Sequence, residues 1–423
     1  MHLNTKSLEK VAFWLALLMP LSISLEVFVI GEANFILLII LGVIYFFAGK
    51  KFEFLQEKWV KAFFLLWGYM LLRSLFADDA LISLKRTLPF GQFIFFVFAM
   101  QALTQYKEAD HKKIFYVLAI ALAFLAIDGF FQYFTGKDFL FGRPLADEGI
   151  YYRITGPYKK KVFGAILAIL SMPVIAITFF YFRQKKTICY LYLLLSILIY
   201  AAVMLSGERA ALLQITFGTG VILLLYLLYE RKSFSYRQLY LASIVLVLII
   251  AVTAFIFQKY SAVLTRQVYS VIDIAKNFSD SVYGRLWISG IKIGADNPIF
   301  GVGGNHFSRY CSVLHSEICT SSHPCKHPHS LYIEFFAEYG IIGLGLFLYF
   351  IYSIAAKIYD FYKSNKLNTF HSFLLLGVTI ALIQILLPLP SSTFSRRWFA
   401  IPIWFMIGWA ISIIEMHRHR QHR

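Results

Sequence analysis

Long apolar runs alternate with short polar stretches along this chain. They fall at about 11–29, 33–49, 59–77, 87–104, 114–133, 162–182, 187–205, 209–229, 238–258, 331–356, 370–388 and 398–415. About twenty apolar residues at 1.5 Å per residue cross the hydrocarbon of a bilayer as one helix. The pattern therefore predicts an all-α, polytopic integral membrane protein of about twelve transmembrane helices. Pro20 and Glu26 interrupt the first run. The stretch 259–330 is too polar for a span and too long for a connector. The chain thus divides into 1–258 (helices one to nine), 259–330 (a large loop) and 331–423 (helices ten to twelve and a short tail).

Within the large loop, 281–294 spaces Leu286, Trp287, Ile288 and Ile291 as on a helix, which predicts an amphipathic helix on the membrane surface. Asp296-Asn297-Pro298 ends it. Gly301-Val302-Gly303-Gly304 follows as a turn; with no strand before it, this is not a dinucleotide fingerprint.

Composition narrows the class. Hydrophobic residues make up 59% of the 423 and charged residues only 15%, which excludes a soluble domain. The net charge of +17 comes from clusters between apolar runs, so membrane lipids, and not nucleic acid, are the expected partner. The clusters also orient the chain. Lys50, Lys51, Lys58 and Lys61 flank the second connection and Lys107, Lys112 and Lys113 the fourth. Arg183, Lys185 and Lys186 fill the sixth, Arg231, Lys232 and Arg237 the eighth, and Lys357, Lys363 and Lys366 the tenth. Arg418, Arg420 and Arg423 close the tail. By the positive-inside rule these connections and both termini are cytoplasmic, and 134–161, 259–330 and 389–397 face outward. Lys6 and Lys10 precede the first run as in a signal peptide. No small-residue cleavage site follows, so an uncleaved first helix is expected. Cys189 lies in an apolar run. Cys311, Cys319 and Cys325 share the large loop, where one disulfide and one left-over thiol are expected, with the pairing open.

Candidate chemistry gathers on the outward side. His327-Pro328-His329-Ser330 ends the large loop, and Leu331 begins a membrane helix. Ser330 is placed to cap that helix through its hydroxyl. His329 then sits at the positive end of the dipole, which disfavours imidazolium and suits a neutral general base. His327 and His323 stand out of this register. A lone histidine is most often a solvated loop residue, and a lone membrane-edge arginine a headgroup anchor. Convergence of several basic groups changes that balance. Arg209 opens the eighth helix, and Arg285 lies on the surface helix; guanidinium binds phosphate oxygens in bidentate fashion. Lys85, Arg86, Arg153, Lys159, Lys160, Lys161, Arg396 and Arg397 are further diphosphate or core-phosphate supports, or else interfacial anchors. Asp78, Asp79, Asp147 and Glu148 form no divalent-metal motif. The run from His323 to His329 lacks structural-zinc spacing. No metal and no cofactor are expected.

His329-Ser330, nine residues, then Gly340-Ile341-Ile342-Gly343 resembles the signature of the bacterial O-antigen ligases. Three more segments resemble family elements: Arg153-Ile154-Thr155-Gly156-Pro157-Tyr158, Ser206-Gly207-Glu208-Arg209, and Gly284-Arg285-Leu286-Trp287 with Asn297-Pro298-Ile299-Phe300-Gly301-Val302-Gly303. Leu344-Gly345 departs from members with a bulkier residue there. The resemblance implies Arg209, Arg285 and His329 as the essential residues of a GT-C-like glycosyltransferase in the bacterial inner membrane. The implied donor is an undecaprenyl-diphosphate-linked glycan and the acceptor a sugar hydroxyl of lipid A-core. Transfer would be metal-independent, inverting and on the periplasmic face. O-antigen polymerase and protein O-oligosaccharyltransferase share the donor; many of the latter carry a C-terminal region not seen after the last helix here. A flippase or transporter would instead place polar groups at mid-bilayer in broken helices.

Overall fold

The computed structural model describes residues 5–24, 28–48, 52–103, 108–147, 152–159, 162–229, 265–314, 325–365, 367–388 and 397–421. It is nearly all helical. The helices are α1 (Thr5–Ser24), α2 (Phe28–Ala48), α3 (Lys58–Leu75), α4 (Ala80–Thr87), α5 (Gln92–Leu103), α6 (Glu108–Thr135), α7 (Phe163–Leu170), α8 (Met172–Arg183), α9 (Ile188–Leu205) and α10 (Arg209–Tyr229). After these come α11 (Ser270–Lys276), α12 (Val282–Asp296), α13 (Phe307–Leu314), α14 (Leu331–Ser364), α15 (Phe370–Leu386) and α16 (Arg397–Gln421). Two short strands, β1 (Ala146–Asp147) and β2 (Tyr152–Arg153), pair antiparallel with Ala146 opposite Arg153.

Seven helical stretches among the described residues are long and apolar enough to cross a membrane, and three shorter apolar helices accompany them. This is a helical membrane protein. The expected ninth span, 238–258, lies outside the described residues. The expected fourth span starts earlier than its apolar run, because Asp79 caps the helix by accepting from the Ile82 amide at 3.0 Å. Lys85 and Arg86 therefore ride on α4 itself. The sixth span divides at Ser171, where Pro173 sits in the first turn of α8 and supplies no amide to the preceding helix. Inside the bundle, Gln214 and Gln384 exchange side-chain-to-carbonyl bonds at 3.2 and 2.7 Å, which satisfies two amides away from water.

The two ends of the bundle differ. One gathers Lys357 on Glu57 at 2.6 Å and on Glu415 at 2.7 Å, and Arg418 on Glu57 at 3.2 Å. His111, His371 and His417 pack together there, Lys112 lies over Phe370, and Arg183 donates to the Leu367 carbonyl. Basic residues from the second, fourth, sixth and tenth connections and the tail therefore share one face. Arg73, Arg86, Arg153, Arg209 and His329 stand at the other end.

α14 is broken at its centre. Gly340 has φ +66° and ψ −167°. The amides of Val302 and Gly303 donate to the carbonyls of Ala337 and Glu338 at 3.0 and 2.8 Å, and Ile341 donates to Pro298 at 2.8 Å. The Tyr69 hydroxyl takes the Tyr339 carbonyl at 2.8 Å. The segment after α12 thus replaces the helical bonds that the break gives up, as non-helical backbone in a membrane protein requires. Glycine is needed on both strands of this splice. A Cβ on Gly340 would meet the Ile299 oxygen at 2.2 Å, and one on Gly301 the Glu338 carbonyl carbon at 2.4 Å. The expected turn at 301–304 is this backbone splice.

α12 spans almost the expected segment, but its buried side is mostly small: Gly284, Leu286, Ser289, Gly290, Ile293 and Gly294. Gly290 and Gly294 admit Ile333 and Phe336 of α14. Ile288 and Ile291 stay exposed, while Leu286 and Ile293 pack into the protein. Cys325 is disulfide-bonded, Cys311 and Cys189 are buried thiols, and Cys319 lies outside the described residues.

Candidate active site

Three segments distant in sequence meet at the loop end of α14. The turn before α10 is tied to the chain before α11: Gln267 donates to the Met204 carbonyl at 2.9 Å and Arg266 to the Gly207 carbonyl at 3.3 Å. Arg209, the first residue of α10, donates from Nη1 to the Ser270 hydroxyl at 3.0 Å. Its guanidinium lies 5.8 Å from the centre of the Tyr283 ring, a cation–π contact. The same ring meets the His329 imidazole edge-on at 5.6 Å. Tyr283, the second residue of α12, therefore joins Arg209 to His329.

His329 holds the left-handed backbone conformation, φ +55°. Its amide donates to Nδ1 of His327 at 3.2 Å, and the two rings lie 4.0 Å apart. His327 thus holds the turn that aims His329, a role its spacing did not announce. Ser330 occupies the N-cap position of α14, but its hydroxyl makes no capping bond; only its carbonyl joins the helix, accepting from Glu334 at 2.9 Å. The hydroxyl cap expected from sequence is absent because no amide of the first turn bonds it.

Arg285 is exposed on α12 and donates from Nε to the Asp280 carbonyl at 3.1 Å. It stands two residues past Tyr283, on a different face of the helix from that ring, and the contacts that join Arg209, Tyr283 and His329 do not include it. Neither Arg209 nor Arg285 has a carboxylate in ion-pair range among the described residues. Arg86 and Arg153 differ. Arg86 pairs with Glu334 of α14 at 2.7 Å, both half-buried or buried. Arg153 faces Glu208 at 3.4 Å and is 5% exposed. Lys85 and Lys159 are exposed. Lys160, Lys161 and Arg396 lie outside the described residues, and Arg397 begins α16.

Glu208 was not singled out by sequence, although it precedes Arg209 directly. Its carboxylate takes the Gly164 and Ala165 amides at 2.8 and 3.0 Å, anchoring the start of α7. Burial pushes this carboxyl up to about 7, against the opposing pull of Arg153 and the two amides. The segment 153–158 is fixed on the other side by Gln132, whose Oε1 accepts from Thr155 and Gly156, both at 2.8 Å. The Tyr158 hydroxyl donates to the Ser24 carbonyl at 2.8 Å. Tyr283, Ser270, Glu208 and Glu334 are the residues that spacing alone missed; Tyr283 and Glu208 each stand within two residues of an arginine already chosen.

Among the described residues, no group of three or more His, Cys, Asp and Glu side chains is arranged to hold a metal ion. Among the described residues, the arrangement offers two cationic groups without a carboxylate counter-ion and an imidazole linked to one of them through the Tyr283 ring. This suits holding a polyanionic leaving group and taking a proton from a nearby hydroxyl.

Residues 193–348 match the family model described as O-antigen ligase. The matched region contains Arg209, Tyr283, Arg285, His329 and the splice at Gly340. No curated protein matches the chain.

Proposed function

We propose that this protein, a membrane enzyme of the O-antigen ligase and polymerase type, is the ligase: it moves a preassembled glycan from undecaprenyl diphosphate to a sugar hydroxyl of lipid A-core. The observation that carries this reading is Arg209, without a carboxylate counter-ion among the described residues, joined through Tyr283 to His329. Arg86 and Arg153, in contrast, are matched by Glu334 and Glu208.

Arg209 and Arg285 hold the diphosphate and take up its growing charge as the anomeric C–O bond breaks. His329 accepts the proton of the acceptor hydroxyl while its oxygen forms the new bond to the anomeric carbon. One displacement inverts that carbon. Lys85 and the cations near 159 and 396 serve the phosphates of donor or core. The site faces the periplasm. The basic opposite end of the bundle supports that orientation by the positive-inside rule, and the disulfide at Cys325 agrees with an oxidising side.

The test is the lipopolysaccharide of a deletion strain, followed by transfer with purified enzyme in nanodiscs without divalent metal. A ligase mutant leaves long glycan on the carrier and bare lipid A-core. Core bearing a single repeat identifies a polymerase instead, and glycan retained inside the cell identifies a flippase.

A further inference from the structure

A cleft of about 600 Å³ opens between the end of α3 and the segment after α12, lined by Tyr69, Leu72, Arg73, Phe76 and Asn297 to Gly301. It lies at the site end of the bundle, yet no residue proposed for transfer lines it. Its walls are apolar and uncovered: Phe76 is 75% exposed, Phe300 57% and Leu72 56%. One cation is fixed into them. Arg73 donates from Nε and Nη2 to the Phe300 and Gly301 carbonyls at 3.0 and 2.7 Å. Those acceptors are neutral, so they orient the guanidinium without cancelling its charge. Among the described residues Arg73 has no carboxylate in ion-pair range, and its Nη1 has no acceptor.

We propose that this cleft seats the phosphate-bearing lipid end of the acceptor, with a hydrocarbon chain against Leu72, Phe76 and Phe300 and a phosphate on Arg73. The identification rests on the ligase reading above. Neutral lipid needs no fixed cation, and free phosphate needs no apolar wall; an amphiphile with an anionic head uses both. The donor's diphosphate is a poor occupant. From Arg285 to Asn297 the chain runs along α12, about 18 Å at 1.5 Å per residue. One diphosphate cannot bridge Arg209 and Arg285 at one end and Arg73 at the other. The two lipids of the reaction are then held at opposite ends of α12, and the acceptor's sugars cross the interval to His329.

Binding of rough lipopolysaccharide, its enzymatically dephosphorylated form, phosphatidylglycerol and carrier-linked glycan would be measured on the full chain in nanodiscs of zwitterionic lipid. Leu72→Trp fills the cleft without touching the Arg73 bonds, and Arg73→Gln removes the charge. Each is expected to weaken rough lipopolysaccharide binding at least tenfold and leave carrier-linked glycan binding unchanged. Removing the phosphates should weaken binding to wild type but not to Arg73→Gln. Unchanged acceptor affinity in Leu72→Trp overturns the proposal, as does phosphatidylglycerol binding as tightly as rough lipopolysaccharide. If wild type binds both lipids as expected but transfers nothing, the ligase reading fails and the lipid seat stands.

Discussion

The imidazole of His329 meets the ring of Tyr283 edge-on, centroids 5.6 Å apart and planes at 85°. The same Tyr283 ring also receives the Arg209 guanidinium, 5.8 Å from its centre. Tyr283→Phe keeps the ring and should keep most activity. Tyr283→Ala should lower kcat at least tenfold through a misplaced base, with donor affinity changed much less. Equal loss in both variants would show that the hydroxyl, and not the ring, matters.

If the two arginines hold the diphosphate as proposed, Arg209→Ala and Arg285→Ala should each remove a charge-assisted contact worth roughly 1.5–3 kcal/mol and slow turnover about ten- to a hundredfold or more. Lysine should rescue only in part, since it lacks the bidentate fork. Because Arg285 is exposed and, among the described residues, bonds the protein through the Asp280 carbonyl, its loss should leave the melting temperature unchanged. An Arg285→Ala enzyme with full turnover removes that residue from the site.

His329→Ala should lose about 10²- to 10⁴-fold in transfer while still binding the carrier-linked donor. His327→Ala should lose about tenfold or less, because the ring accepts the His329 amide and so supports the turn without handling the proton. A dead His327→Ala beside an active His329→Ala moves the base two residues back.

Gly340→Ala should prevent folding or cost at least about 3 kcal/mol, combining left-handed backbone strain with a Cβ 2.2 Å from the Ile299 oxygen. Gly345→Ala, which meets nothing within 4 Å, should be neutral or slightly stabilising. Thermal melts of the two variants in detergent check this; similar melts for both would remove the splice as the reason for the glycine.

Glu208 makes stability depend on pH. Its folded carboxyl titrates near 7 against 4.5 ordinarily. The folded state therefore holds the proton more tightly, and its contribution is full below pH 4.5 and lost as pH rises through about 7. At 1.36 kcal/mol per pH unit the gap amounts to roughly 3 kcal/mol. Melting temperatures of wild type and Glu208→Gln between pH 4.5 and 8.5 should diverge, wild type losing relative stability as pH rises. A constant difference across that range would remove Glu208 as the titrating group.

Much of the candidate site was proposed from sequence because its arginines and histidine sit inside short motifs at helix ends. Arg209 begins α10, Arg285 lies in the first turn of α12, and His329 closes the turn before α14, positions that spacing and hydropathy reveal. Tyr283 was missed since an aromatic residue on an amphipathic helix looks like ordinary packing until its two partners arrive from 74 residues before and 46 after. The Ser330 cap was overread, because residue type at the N-cap position does not set the direction of the hydroxyl.

Hydrophobic run length and the placement of lysine and arginine were enough to establish a helical membrane protein with one basic end, because bilayer thickness and the cost of burying charge act on local sequence. Which cations are free to meet a substrate was a matter for tertiary structure alone. Arg86 and Glu334 stand 248 residues apart, and Arg153 and Glu208 stand 55 apart. The glycine pair at Gly301 and Gly340 likewise has no local meaning until two backbones are laid side by side. Charge neutralisation and backbone replacement are decided by which segments meet, and short motifs do not encode that.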